Sequence, residues 1–194
     1  MTKKANTALP LAPADEGYSF DELRELVELT LAAGISVLLR GHPGVGKSSL
    51  GAEVAAGMGL ELVDIRLAQR DPAELAGVYF PDRRRKVLSL FPPDWVRRAC
   101  DRPVLVFLDE INAAVTRLHQ AAAYQIVLEH RVGPFSFHPD TVVLGAGNLE
   151  EDNAIVSQLS SALSNRFAHF TLRVDAEAWL RWGAGAGIHE AVLA

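Results

Sequence analysis

The sequence predicts an α/β domain built on a parallel sheet of about five strands. Two observations carry this. Strand-like and helix-like segments alternate from about residue 20 to about residue 175, and most of the strand-like segments are apolar at every position. Strands covered by helices on both faces have that pattern, whereas a half-exposed sheet would alternate. At 194 residues and 49% apolar content, the chain is long enough for one domain with a sizeable core.

The elements follow in order. Residues 1–18 hold two lysines and a short apolar patch broken by Pro10 and Pro13, too weak for a secretory signal, and read as a flexible leader ahead of a domain spanning 19–194. Phe20, Leu23, Val27 and Leu31 recur at helical spacing, and Gly34 is placed to end that helix. Residues 35–40, ISVLLR, form a buried strand, 47–58 a helix and 60–67 a second strand. Asp71, Pro72 and Glu74 have the form of a capping box opening a short helix that stops near Gly77. The proline- and charge-rich stretch that follows reads as an excursion from the sheet, leading to a short helix around 95–100. The strand from Pro103, PVLVFLDE, is the most apolar of all; a long helix over 115–131, a strand from Thr141, a helix over 154–164 and a last strand from about Phe167 complete the series. Trp179 and Trp182, three apart on a helix, are expected to pack against the sheet edge.

Composition narrows the function. The net charge is −5 and the pI about 5.7, with no basic stripe of the kind phosphate neutralisation on a duplex requires, so nucleic acid is not the expected partner. Nothing approaches the ~20-residue apolar run of a membrane helix. The single cysteine, Cys100, allows neither an internal disulfide nor a cysteine-built metal site, suits a reducing, cytoplasmic setting, and is expected to be a buried spectator. His119, His130, His138, His169 and His189 show no metal-ligand spacing. Arg83, Arg84, Arg85 and Lys86 are expected in a solvated loop, with a pore-facing or client-facing loop as the other reading.

The chemistry starts at GHPGVGKSSL. Gly41, Gly46, Lys47 and Ser48 occupy the fixed positions of G-x-x-x-x-G-K-[ST], between a predicted strand and a predicted helix. Glycines let backbone N–H groups turn inward around phosphates, Lys47 reaches the β and γ oxygens, and the Ser48 hydroxyl is placed to ligate Mg²⁺. Pro43, Gly44, Val45 and Ser49 complete the predicted nucleotide-contacting loop, with His42 as a partly exposed filler within it. The helix N-terminus adds its partial positive charge. Sixty-three residues after Lys47, an apolar strand ends in Asp109 and Glu110, where Asp109 suits the Mg²⁺ water shell and Glu110 the role of general base toward water. Asn148 ends a later strand and has an amide suited to the water or the γ-phosphate. Arg166, 18 residues further on, begins the last strand, where it is placed to reach a neighbour's nucleotide as an arginine finger does.

GHPGVGKS, VFLDEIN, GAGN and LSSALSNRF, in this order and spacing, resemble the AAA+ ATPases, and their MoxR-like branch in particular. RLAQRDPAELAG, PPDW and EHRVG add to the resemblance, which spans about residues 20–190. It implies a P-loop NTPase fold with strand order 5-1-4-3-2 and a ring of usually six subunits with active sites shared between neighbours. It also implies a client protein, with a von Willebrand A-domain protein as the candidate. On the family pattern Lys47 and Ser48 are Walker A, Asp109 and Glu110 Walker B, Asn148 sensor 1 and Arg166 the arginine finger. The chain departs from the family's DEINRA at Ala113, from its NP at Leu149 and from its DRF at Asn165, and it is expected to lack the helical lid. The function expected is a Mg²⁺-dependent, ATP-hydrolysing ring protein that remodels a partner. The alternatives are a nucleotide-dependent binding module or switch with little turnover, and a GTP-using ring relative.

Overall fold

In the computed structural model, the described residues are 17–113, 116–149, 159–185 and His189. The chain opens with α1 (Phe20–Ala32), β1 (Val37–Arg40), α2 (Lys47–Gly57) and β2 (Glu61–Arg66). A short helix α3 (Pro72–Ala76) leads into the strands β3 (Val78–Asp82) and β4 (Val87–Phe91), followed by α4 (Asp94–Asp101), β5 (Val104–Asp109) and α5 (Arg117–Glu129). Two short strands, β6 (Arg131–Val132) and β7 (Phe135–Ser136), precede β8 (Val142–Gly147), α6 (Ser161–Ser164), β9 (Ala168–Thr171) and α7 (Ala176–Gly185).

The central sheet has five strands in the order β2-β5-β8-β1-β9, all parallel. Numbered by their place in the chain these are 2-3-4-1-5, the expected P-loop NTPase order read from the other edge. Successive residues of a strand point to opposite faces, and the core divides accordingly. Val37, Leu39, Leu105, Phe107, Leu144 and Ala146 meet Leu23, Val27 and Leu31 of α1 and Leu50 and Val54 of α2. Leu38, Val104, Val106, Leu108 and Val143 meet Val96 and Ala99 of α4, Ala123 and Ile126 of α5 and Leu163 of α6. Both faces are covered, which is why the central strands carry no polar alternation. The edge strand β2 does alternate, with Val63 and Ile65 buried between exposed Asp64 and Arg66.

Local chemistry sets the helix ends. The Ser19 N–H and hydroxyl both donate to the Glu22 carboxylate, at 2.9 and 2.7 Å, fixing the first turn of α1. At α3 the expected capping box forms only in part. Asp71 accepts from the Ala73 N–H at 2.8 Å, but Glu74 lies 3.7 Å from the Arg70 guanidinium, one turn back on the same side.

Several expectations need correction. The first strand starts at Val37, because Ile35 is half exposed. The excursion over 78–91 is an antiparallel hairpin, pairing Val78 with Phe91 and Asp82 with Val87 across the basic turn 83–86. Its turn carries Lys86 at φ 56, and the Asp82 carboxylate accepts from the Arg84 and Arg85 N–H groups. Trp179 and Trp182 are 44% and 55% exposed rather than packed away. Cys100 is only partly buried, against the core on the α4 side, and that burial pushes its thiol pKa up. Tyr18 belongs to the sheet edge, not to a leader: its N–H donates to the Thr171 carbonyl at 2.8 Å and its carbonyl accepts from Arg173 at 3.0 Å. Residues 1–16, and residues 154–158 of the helix expected over 154–164, lie outside the described residues; residues 159 and 160 are not helical and 161–164 is α6. Among the described residues, no helix is long and apolar enough to cross a membrane.

Candidate active site

The order β5-β8-β1 in mid-sheet brings three strand ends side by side at one edge. Arg40 of β1 is in register with Gly147 of β8, and Leu108 of β5 with Gly145, so the segments leaving β1, β5 and β8 emerge together. Those segments carry the phosphate loop, Asp109-Glu110 and Asn148. Most of the residues singled out from sequence therefore converge, as the switch-point rule for open α/β sheets requires.

The loop leaves β1 at Gly41, which is buried, and is exposed at His42, Pro43 and Gly44. Val45 is half-buried and packs against the core beneath α1 and α2. Gly46 sits at φ 101, a left-handed conformation open in practice to glycine, and from it the chain turns directly into α2. Lys47, Ser48 and Ser49 form the first turn of α2, whose leading N–H groups have no partner within the helix. Ser48 and Ser49 are exposed.

Lys47 is 8% exposed. Its Nζ donates to the Gly41 carbonyl at 2.8 Å, the His42 carbonyl at 2.9 Å and Asn148 Oδ1 at 2.9 Å. The ammonium is thus held at the centre of the loop by three oxygens, one of them from the adjacent strand tip. Ser48 Oγ lies 3.2 Å from Asp109 Oδ2. A hydroxyl and a carboxylate brought together at a helix N-terminus are hard oxygen donors, a set that fits Mg²⁺.

Glu110 follows Asp109 in a left-handed conformation, φ 55, which costs a non-glycine residue about 1–2 kcal/mol. Its N–H donates to Asp109 Oδ1 at 2.9 Å, a local bond that helps hold the turn. Strain of this kind concentrates at functional positions. Nearby on β2, burial pushes the Asp64 carboxyl above its ordinary range, with Asp109 adding to the effect and Arg66 opposing it.

Arg166 is the one residue of the set that does not join the others. It is exposed and precedes β9, whose first residue, Ala168, donates to the Ser36 carbonyl at the start of β1. β9 runs directly beside β1, in register from Val37 with Ala168 to Arg40 with Thr171. Arg166 therefore lies in the turn beyond the end of β9 opposite the strand ends that carry the loop, and residues 168–171 of that strand alone span ~10 Å at ~3.3 Å each. The separation runs along the strands rather than across them, and it exceeds the reach of the side chain.

Asn112 was not singled out from the sequence. It sits in a short 3-10 turn after β5 (111–113) and is buried. Its Nδ2 donates to the Asn148 carbonyl at 2.8 Å, and its Oδ1 accepts from the Asn148 N–H at 3.3 Å. Nothing in the sequence pointed to it: only the folded structure brings it to Asn148 and within 3.0 Å of where a Cβ on Gly147 would stand.

Residues 37–173 match the family model of the AAA proteins, the ATPase family associated with various cellular activities. Over 151 residues the chain is 32% identical to a Lon protease from Azorhizobium caulinodans, an alignment covering 69% of this chain but 17% of that protein. Among solved structures it is similar to a presumed ATPase from Cytophaga hutchinsonii (TM-score 0.62, 20% identity, 89% of this chain and 52% of the other). A RuvB variant from Thermotoga maritima (0.60, 17%, 92% and 56%) and NtrX from Brucella abortus (0.55, 16%, 89% and 44%) share the fold as well. The chain spans about half the length of these structures. With the family model covering well over half of the sequence, the chain belongs to the AAA ATPases.

Proposed function

We propose that this chain binds ATP with Mg²⁺ at the β1-β8-β5 edge and hydrolyses it at a site completed by a second copy, as a MoxR-type ring protein that remodels a partner protein. One observation carries the reading. Lys47 and Asn148, 101 residues apart, meet at 2.9 Å across neighbouring strand tips, beside the pair formed by Ser48 and Asp109.

The residues divide the work. The N–H groups of Gly44 to Ser49 and the start of α2 face the phosphates, and Lys47 exchanges its two carbonyl acceptors for β and γ oxygens. Ser48 ligates Mg²⁺ and Asp109 holds its water shell; the ion neutralises phosphate charge while bound. Glu110 accepts the proton of the attacking water. Asn148, tied to Lys47, directs its amide toward that water or the γ-phosphate. Arg166, too far from its own loop, serves the nucleotide of the adjacent copy.

The family resemblance supports a ring of six, ATP rather than GTP, and a client with a von Willebrand A domain. The single cysteine favours the cytoplasm. The hairpin over 78–91 supports contact with a client, since Val78, Tyr79, Phe80, Val87, Leu88 and Phe91 are all about half exposed or more.

The test is subunit mixing in the intact, assembled protein. Arg166→Ala is expected to leave ATP binding nearly unchanged and to lower turnover by ~10³-fold or more. Adding Glu110→Gln subunits restores part of the activity, because an intact Glu110 then faces an intact Arg166. A rate independent of protein concentration, with no rescue on mixing, would replace the shared-site motor with a nucleotide switch.

A further inference from the structure

We infer that Asn112 is a positioning residue that acts through Asn148. It grips the Asn148 backbone so that the Asn148 side chain is held against the Lys47 ammonium and aimed at the γ-phosphate. This rests on the ATPase reading above and adds a residue that reading does not use.

The geometry is specific. A side-chain amide has the same donor and acceptor as a peptide group, and Asn112 uses both on one residue, donating to the Asn148 carbonyl at 2.8 Å and accepting from its N–H at 3.3 Å. Asn148 is thereby paired in the manner of one more rung of sheet, at the point where β8 has ended and no neighbouring strand continues. Two backbone bonds to one group fix both position and rotation of the residue, leaving its side chain a narrow choice of direction. That side chain is the one whose Oδ1 meets Lys47 Nζ. With Oδ1 taken by the ammonium, the Nδ2 donor is left to face phosphate or water.

Gly147 leaves room for the grip. A Cβ there would stand 3.0 Å from Asn112 Oδ1 and 3.1 Å from its Cγ, close enough that the amide would have to shift by a few tenths of an ångström. Asn112 also follows Asp109 by three positions and Glu110 by two. The end of β5 and the turn after it therefore supply the metal-side carboxylate, the base and the clamp. Movement of that segment carries Asn148 with it, tying the position of the base to that of the γ-phosphate contact.

The experiment uses Asn112→Ala, Asn112→Asp and Gly147→Ala in the full chain. Two kinds of readout are taken: ATP affinity and turnover in the assembled protein, and hydrogen exchange of the Asn148 backbone amide without nucleotide. For Asn112→Ala the expected result is an ATP dissociation constant within about threefold of the original and a kcat lowered by about 10–10²-fold, the range for loss of a group that orients a ligating residue. Gly147→Ala, which pushes the amide aside from the opposite direction, is expected to do the same, and Asn112→Asp, which keeps only the acceptor, to fall between. The double variant Asn112→Ala/Asn148→Ala turns over no more slowly than Asn148→Ala alone, because Asn112 acts only through Asn148. In Asn112→Ala the Asn148 amide exchanges at least tenfold faster, whereas in Asn112→Asp, whose carboxylate still accepts from that N–H, it stays protected. Multiplying effects in the double variant, or unchanged exchange at Asn148 in Asn112→Ala, would overturn the inference. A parent chain that turns over no ATP would instead sink the ATPase reading, and the exchange measurement would still decide whether the clamp exists.

Discussion

Replacing Lys47 by alanine tests the centre of the site, and the structure sets the size of the effect. Nζ makes three short hydrogen bonds, two of them to the Gly41 and His42 carbonyls. When phosphate enters, those two acceptors give way to β and γ oxygens, while the bond to Asn148 can persist. The gain on binding is therefore not the full strength of two charged hydrogen bonds. It is the difference between pairing an ammonium with an anion and pairing it with a neutral carbonyl. Both bonds are charge-assisted through the ammonium, so the gain is the added charge–charge attraction to phosphate, about 1.5–2 kcal/mol per bond near the dielectric of water. Two bonds give ~3–4 kcal/mol, or about 10²–10³-fold in the dissociation constant. Lys47→Ala is expected to weaken ATP by that factor in a calorimetric titration, beyond the measurable window if the original affinity is micromolar, with circular dichroism showing the variant still folded. A dissociation constant within about threefold of the original would mean that the lysine does not face the phosphates, and the site assignment would fail.

Two further outcomes are expected. Glu110→Gln should retain ATP binding while hydrolysis falls by about two to four orders of magnitude, as for loss of a general base; phosphate release at the original rate would place the base elsewhere. His130 ends α5 in a left-handed conformation, φ 46, and burial lowers its pKa below the ordinary 6.5, a hydrogen bond with the Thr141 backbone opposing this only in part. The folded state then binds fewer protons than the unfolded one. The fold is at full stability above pH ~6.5 as far as this residue is concerned, and loses stability as pH falls through that value. His130→Asn, which tolerates the same backbone conformation, should flatten the dependence between pH 7.5 and 5 in denaturant unfolding. An unchanged slope would show that His130 is not its source.

How far the sequence alone reached depended on whether the deciding physics was local. The phosphate loop was legible because its glycines, lysine and serine act within eight consecutive residues, and Gly46 needs its left-handed conformation whatever surrounds it. The buried strands were legible because helices on both faces demand apolar residues at every position, and VLVFLD has no other use. Asp109 and Asn148 were found at the ends of such strands, where chain direction alone puts them at one sheet edge.

Other features were set by tertiary contacts. The hairpin over 78–91 went unread because Pro81 and the basic turn 83–86 resemble a loop, and only cross-strand pairing, Val78 with Phe91 and Phe80 with Ser89, makes them strands. Trp179 and Trp182 have core-like spacing but stand half exposed, since helical periodicity says which residues share a face and not whether anything covers it. Arg166 could be found by its place before the last strand. Its distance from its own loop came only from the pairing of β9 beside β1, which puts the arginine at the opposite end of the strands. Asn112 is the clearest case. Nothing within its own turn requires an asparagine, and its two hydrogen bonds go to a residue 36 positions away, just past the end of a strand that the sheet order alone makes its neighbour. The sequence by itself determined the residues that chemistry demands and the strands that burial demands. The tertiary structure decided which distant groups those residues face, because strand order and register, not chain proximity, set the distances between them.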